Sequence, residues 1–215
     1  MTDSHDHSFD RQYWEDRYAA EGLAWSGDPN PVLVTEAAQL APGRALDIGC
    51  GEGADAFWLA EQGWQVTAVD IAVNALDKAQ AHAESVDPEA AARIGWQQHD
   101  LTEWSPAPQA FDLVSSQFMH LPRPTMTTLF RSLSAAVAPG GTLLIVGHDA
   151  SDVDEGSEHH AHLGELMFTV EEVLAAIKDD GLQVKVAESR QREAAPPNGR
   201  EFVHDVMVMA SRSPA

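Results

Sequence analysis

The chain has 215 residues, 44% of them hydrophobic, and carries 34 acidic against 13 basic side chains, a formal net charge of −21 at pH 7. Such a balance repels nucleic-acid phosphates and anionic membrane surfaces, so neither is an expected partner, and its plain effect is solubility. With one cysteine, no apolar run near the ~20 residues of a membrane span and no apolar leader in the acidic start, a cytoplasmic globular protein with a full core and no intrachain disulfide is expected.

Residues 1–8 read as a disordered tail. Residues 10–21 read as a short helix with Tyr13, Trp14, Arg17 and Tyr18 near one face. A loop over 22–31 holds Trp25 and the turn former Gly27-Asp28-Pro29-Asn30-Pro31, and a helix resumes over 32–40 until Pro42-Gly43. A first strand is expected over 44–48. It stops at Gly49, Gly51 and Gly53, and the helical spacing of Ala54, Phe57, Trp58 and Ala60 takes over at once. Glycine serves where the main chain turns with positive φ, or where a ligand lies against it with no Cβ between. A second strand over 65–69 ends at Asp70, an acid placed to accept from both hydroxyls of a ribose. Turn and acid together predict a pocket for an adenosine-bearing cofactor.

An Ala-rich helix is expected over 74–84, continuing over 88–93, then short strands over 95–99 and 111–115. A helix within 122–137 is closed by Pro139-Gly140-Gly141, and the most apolar strand follows over 141–146. After a polar segment over 147–167, Thr169 and Glu172 have capping-box spacing and open a helix that stops at Gly181. Strands over 182–188 and 201–210 flank a Pro-rich loop. This order predicts a mainly parallel sheet with helices on both faces and a ligand over the carboxyl ends of the strands.

Leu46-Asp47-Ile48-Gly49-Cys50-Gly51-Glu52-Gly53, Val69-Asp70, Gln98-His99-Asp100-Leu101, Phe111-Asp112-Leu113-Val114 and Pro139-Gly140-Gly141-Thr142-Leu143-Leu144 stand in one order over roughly residues 40–148. In these residues the chain resembles the class I S-adenosylmethionine-dependent methyltransferases. The front end, Tyr13-Trp14-Glu15-Asp16-Arg17-Tyr18 through Trp25, is similar to the small-molecule branch, with tellurite-resistance and thiopurine methyltransferases the nearest types. The resemblance implies an α/β, Rossmann-like, three-layer α/β/α sandwich with a mainly parallel seven-stranded sheet and a terminal antiparallel strand. It implies a helical cover over residues 1–40, a methyltransferase domain over 41–215, and S-adenosylmethionine as cofactor, leaving as S-adenosylhomocysteine. Asp47, Gly49 and Gly51 would hold the methionine end, with Ser116 and Gln117 facing it. Asp70 would bind the ribose, with Ile71 beside it. Asp100 would accept from the adenine amino group and Leu101 would offer its amide. Trp14 and Tyr18 would cover the cofactor, and the first 30 or so residues would order when it binds.

The implied reaction is an in-line methyl displacement onto S, Se, Te, O or N of a small-molecule acceptor, with no covalent intermediate and no catalytic metal. His120, His148 and Arg123, where the fourth and fifth strands exit, are the catalytic candidates. His120 reads equally as a structural group, and Arg123 as an anion holder or a local cap. Trp25, Phe118, Met119 and Phe168 form either an acceptor chamber or ordinary core. Cys50 reads as packing. Asp152, Asp154, Glu155, Glu158, His159, His160 and His162 read as a solvated acidic loop rather than a metal site. Two alternatives stay open. Gly49, Gly51 and Ala54 also satisfy the dinucleotide fingerprint of an NAD(P)-dependent oxidoreductase, although Asp47 would then lie beside a pyrophosphate. A catalytically silent cofactor-binding module would carry the same residues. A monomer or homodimer is expected.

Overall fold

The computed structural model describes residues 10–152, 166–191 and 204–215. Its centre is a seven-stranded sheet of order β3-β2-β1-β4-β5-β7-β6. The strands are β1 (Arg44–Ile48), β2 (Gln65–Asp70), β3 (Ile94–Gln98), β4 (Phe111–Gln117), β5 (Val137–His148), β6 (Leu182–Gln191) and β7 (His204–Arg212). β1 to β5 pair in parallel, and β7 runs antiparallel to both β5 and β6. The helices are α1 (Arg11–Ala19), α2 (Pro31–Ala37), α3 (Ala54–Glu61), α4 (Val73–Val86), α5 (Pro88–Ala91), α6 (Arg123–Ala136) and α7 (Val170–Ile177).

The alternation of strand residues builds the three layers. Leu46, Ile48, Val114, Leu143 and Ile145 face one way, onto Met126, Leu129, Phe130 and Leu133 of α6 and Val173 and Ile177 of α7. Ala45, Val66, Ala68, Leu113, Leu144, Val146 and Met207 face the other way, onto Leu33 and Ala37 of α2 and Ala56, Leu59 and Ala60 of α3. Helix α2 therefore belongs to the body of the sandwich. The cover expected over 1–40 divides: among the described residues only those before α2 lie over the turn after β1.

Expected and observed elements differ at a few ends, each with a local cause. Asp87 is extended and its carboxylate accepts from the amides of Glu89 and Ala90, so it stops α4 and caps a separate α5 where one continuing helix was expected. β4 runs on through Gln117, and β5 extends on both sides of its apolar centre to span Val137–His148. The Pro139-Gly140 excursion is absorbed inside β5: Phe111 faces Val137 while Leu113 faces Thr142, and Gly140 has φ 81°. The capping box of α7 forms as the spacing predicts, with the Thr169 hydroxyl accepting from the Glu172 amide and the Glu172 carboxylate from the Thr169 amide.

Candidate active site

Pleating carries Asp47, Asp70, Ser115, Gln117 and His148 to the sheet face that also bears Ala45, Ala68, Leu113 and Val146, at the carboxyl ends of their strands. The turn after β1 is tied to β2 by the amides of Gly49 and Cys50, which both donate to the Val69 carbonyl at 2.8 and 3.0 Å. Gly51 and Gly53 have φ of 52° and 80°. They serve different ends. A Cβ on Gly53 would lie 2.6 Å from Trp96 and 2.8 Å from Ala79, so its bareness is needed for helix packing. A Cβ on Gly51 would lie 3.0 Å from the Tyr18 hydroxyl, on the side of the cover. Asp70 clamps this turn to the start of α4: Oδ2 accepts from the Gly51 amide and Oδ1 from the Ala72 amide, both at 2.9 Å. Burial raises its pKa above the usual carboxylate value against the pull of those amides.

Asp47 is 1% exposed, and its Oδ2 has no hydrogen-bond partner among the described residues. Burial first, then the charges of Asp55 and Asp70, push its carboxyl well above the ordinary value. Asp55, in the first turn of α3, is pushed up to about 6 by burial, although it accepts from the Asn30 amide. On β4, Ser116 Oγ and Gln117 Oε1 are likewise buried without partners, while Gln117 Nε2 donates to the Ser115 hydroxyl. A buried carboxylate oxygen without a donor is costly, and a cationic group brought to the bare turn would relieve it. Cys50 is half-buried against the α3 side of the core, its thiol raised by burial and by Asp70 and Asp47, which fits packing and not nucleophilic use.

Beyond Asp70 a cleft of about 400 Å³ is lined by Arg11, Ile71, Gln98, His99, Asp100, Glu103 and Trp104. The Ile71 carbonyl accepts from Gln98 Nε2 at 3.2 Å. Asp100 Oδ1 accepts from both the amide and the hydroxyl of Thr102, which fixes the carboxylate at the cleft wall, and the ring of Trp104 stacks on His99. Leu101 packs on the core beside it.

The segment before α2 covers the turn through ties that sequence reasoning missed. Glu15 accepts from the amides of Val73 and Asn74, capping α4 where Ala72 has no side chain to do so. Burial raises Glu15, but the amides of Asn74 and Val73 and then Arg11 outweigh it and hold the carboxyl below its usual value. Lys78 donates to the carbonyls of Ala20 and Gly22 and pairs with Glu52, which accepts from the Ala24 amide. Trp14 stacks on Tyr18, and Trp25 Nε1 donates to the Tyr18 hydroxyl at 3.0 Å. Burial raises the Tyr18 phenol. Met119 Sδ lies 2.8 Å from the position of a Cβ on Gly49, so Met119 and Tyr18 both rest on the bare main chain.

The three catalytic candidates separate. His120 Nε2 accepts from the His148 amide at 3.2 Å, and burial, then the neighbouring His148, drives its pKa down to about 3. Of the two readings of His120, a neutral structural group fits this environment better than a base. Arg123 forms an ion pair with Glu172 at 3.2 Å, joining the amino ends of α6 and α7, which gives it a local role. His148 Nδ1 lies 3.2 Å from Asp205 Oδ1, and its ring lies 4.8 Å from Phe118 and 5.2 Å from His120. Phe118 has φ 53°, a left-handed conformation in a bulky residue at the exit of β4. Phe168 is core, against Phe130 and His120; Phe118 and Met119 also pack on the core, while Met119 and the exposed Trp25 lie against the glycine turn. Of the acidic loop, Asp152 pairs with His204 at 2.7 Å, and its other members lie outside the described residues.

Residues 45–141 match the family described as "Methyltransferase domain". A ubiquinone biosynthesis O-methyltransferase of Xanthomonas euvesicatoria pv. vesicatoria is 31% identical over 122 residues, 54% of this chain and 48% of that protein. Phosphoethanolamine N-methyltransferase 1 of Arabidopsis thaliana is 29% identical over 72% of this chain and 32% of its own length. The chain thus spans about a third to a half of these curated relatives. Among solved structures, TehB from Haemophilus influenzae superposes with a TM-score of 0.69, covering 94% of this chain and 67% of that one at 18% identity, a likeness of fold.

Proposed function

We propose that the chain, whose residues 45–141 match the methyltransferase-domain family, moves a methyl group from S-adenosylmethionine to a heteroatom of a small molecule. The observation that carries this reading is Asp47 Oδ2, a buried and unpartnered carboxylate oxygen beside the bare turn at Gly49 and Gly51. It fits an ammonium. When bound, the cofactor supplies a methyl carbon on a sulfonium and leaves as a neutral thioether.

The chain's own residues bind, orient and exclude water. Asp47 takes the ammonium of the methionine end, the glycine turn lets the main chain approach it, and Ser116 and Gln117 offer their buried polar atoms. Asp70 accepts from the ribose hydroxyls with the lone pairs its two amide bonds leave, and Ile71 lies under the ribose and base. Asp100 would receive the adenine in the cleft beside Trp104, with the main chain of Leu101 next to it. Met119 and Tyr18 swing from the glycines and, with Trp14 and Trp25, close over the charged centre, so the segment before α2 acts as the cover. Aligned placement of acceptor, carbon and sulfur accounts for up to about 7–11 kcal/mol of the barrier. The net charge of −21 favours a small acceptor over nucleic acid. No helix among the described residues is long and apolar enough to cross a membrane, which accords with a cytoplasmic setting.

A pyrophosphate cofactor is disfavoured by the same carboxylates, since Asp47, Asp55 and Asp70 would face its two negative charges. Titration calorimetry with S-adenosylmethionine and with NAD tests the reading. Saturable binding of the former, weakened in Asp47→Asn and Asp70→Ala, is expected; binding of NAD alone refutes it. Release of S-adenosylhomocysteine over a panel of thiols, phenols, amines, selenite and tellurite then separates an enzyme from a silent module.

A further inference from the structure

We infer that His148 and Asp205 form a catalytic dyad, with His148 Nε2 the general base and Asp205 its positioning residue, and that the acceptor is accordingly a hydroxyl, chiefly a phenol or catechol. This rests on the methyl-transfer reading above.

The pair is built by the sheet. His148 is the last residue of β5 and Asp205 the second of β7, and they face one another directly in the antiparallel ladder. Directly opposed residues project to the same face, here the face of Asp47 and Gln117. The register is pinned by Val146 opposite Met207 and Leu144 opposite Met209 in the apolar layer below, so the two side chains are held together by the core itself. The contact joins Nδ1 to Oδ1 at 3.2 Å, with the two side chains 24% and 16% exposed. A proton on Nδ1, held by the carboxylate, puts the ring's lone pair on Nε2.

The surroundings decide which histidine works. His120 stacks flat on His148 with 11° between rings and spends its Nε2 on the His148 amide, so it fixes the main chain of the base. Among the described residues, His148 is faced by Asp205 from β7, His120 from the segment after β4, and the aromatic Phe118. Asp149, next in the chain, turns to the Ser151 amide, and Asp152 is taken by His204. Phe118 links this base to the cofactor turn, because Met119, its neighbour, rests on Gly49.

A base is needed only where the acceptor arrives protonated. A phenol, with a pKa of about 10, does so at neutral pH, and a thiol near 8.5 does so less. In the step, Nε2 takes the hydroxyl proton as the oxygen lone pair forms the new C–O bond. The C–S bond breaks with its pair going to sulfur. The positive charge passes from sulfonium to imidazolium, where Asp205 offsets it, and the proton then leaves to solvent. Phe118, its ring 4.8 Å from that of His148, sets an aromatic side chain beside the base for an aromatic acceptor.

The test uses the full chain with S-adenosylmethionine, catechol and phenol as hydroxyl probes, and thiophenol as a probe that ionises unaided at pH 9. Hydroxyl transfer is expected, falling about 10²–10⁴-fold in His148→Gln and about tenfold or more in Asp205→Asn. Asp205→Glu restores part of the rate. Transfer to thiophenol at pH 9 changes less than about threefold in every variant, and calorimetric affinity for S-adenosylmethionine stays as in the parent. Nitrogen-edited NMR of the imidazoles should find the His148 proton on Nδ1 in the parent and redistributed toward Nε2 in Asp205→Asn, which needs no turnover. Hydroxyl transfer untouched by His148→Gln, equal losses on both probe classes, or absent hydroxyl transfer with the cofactor bound overturns the dyad and leaves the cofactor reading standing. Absent cofactor binding overturns both.

Discussion

The carboxylate of Glu15 closes the amino end of helix α4 at Asn74: Oε2 accepts from the Asn74 amide while Oε1 accepts from Val73, each at 3.0 Å, and Asn74 Nδ2 returns a bond to the Glu15 carbonyl. A residue of the cover thereby serves as cap for a helix of the sandwich.

Replacing Glu15 by Ala removes the cap and the latch together. Loss of a cap costs about 0.5–2 kcal/mol. Because the cover carries Trp14, Tyr18 and Trp25, cofactor affinity should fall in step, several-fold in calorimetry. Glu15→Gln keeps an acceptor for one amide and should fall between. Parent-like affinity in Glu15→Ala would show that the cover contributes nothing to binding.

The buried acids make stability and binding depend on pH in a stated direction. Asp55 has its folded pKa raised from 3.8 to about 6 by burial, and Asp47 is raised too. A group that holds its proton more tightly when folded stabilises the fold fully below its unfolded value, and that stability is lost as pH rises from about 4 through about 6. Midpoints of thermal unfolding should therefore decline over this window, and Asp55→Asn should flatten the decline. Since Asp47 must ionise to meet an ammonium, cofactor binding near pH 6 should release protons. Binding enthalpy would then vary with buffer ionisation enthalpy; a buffer-independent enthalpy at pH 6 counts against Asp47 as the partner.

Gly53 and Gly51 predict opposite failures. A methyl on Gly53 meets Trp96 and Ala79 within 2.8 Å at φ 80°, so Gly53→Ala should cost about 1–3 kcal/mol in denaturant unfolding. Gly51→Ala meets chiefly the Tyr18 hydroxyl, which belongs to the movable cover. Its larger effect should be on cofactor affinity. A reversal of this order would mean that the two glycines had been given each other's jobs.

Sequence and structure agree where a signal is local. β1 keeps its expected bounds because its apolar run is hemmed by Gly43 and Gly49, and α7 starts where Thr169 and Glu172 cap it. The strand-end positions of Asp47, Asp70 and Asp100 were legible because each stands near, at or just past the end of a strand beside a recognisable turn. Glu15, Glu52, Asp55 and Lys78 were not, since the amides and carbonyls they meet come from distant segments of no distinctive composition. Asp205 was illegible for a sharper reason: it lies 57 residues from His148, and only the antiparallel register of β7 on β5 brings them together. His120 and His148 looked alike in sequence. They part company because one ring meets a main-chain amide and the other a carboxylate.

The Arg123–Glu172 pair separates a local role from anion recognition. Its side chains are 51% and 37% exposed, so the ion pair is screened and worth at most about 1 kcal/mol. Glu172 keeps its capping-box bonds to Thr169 without the arginine. Arg123→Gln should therefore lower thermal stability slightly, more at low salt than at high, and leave KM for every acceptor in place. A guanidinium that held an anionic acceptor would behave otherwise: KM for selenite, tellurite or a carboxylated phenol would rise tenfold or more, by loss of a charge-assisted bidentate contact worth about 1.5–3 kcal/mol, while uncharged phenols were spared. Steady-state kinetics on a carboxylated and an uncharged phenol of equal size decides it, and a selective rise in KM for the carboxylated one would return Arg123 to the acceptor site.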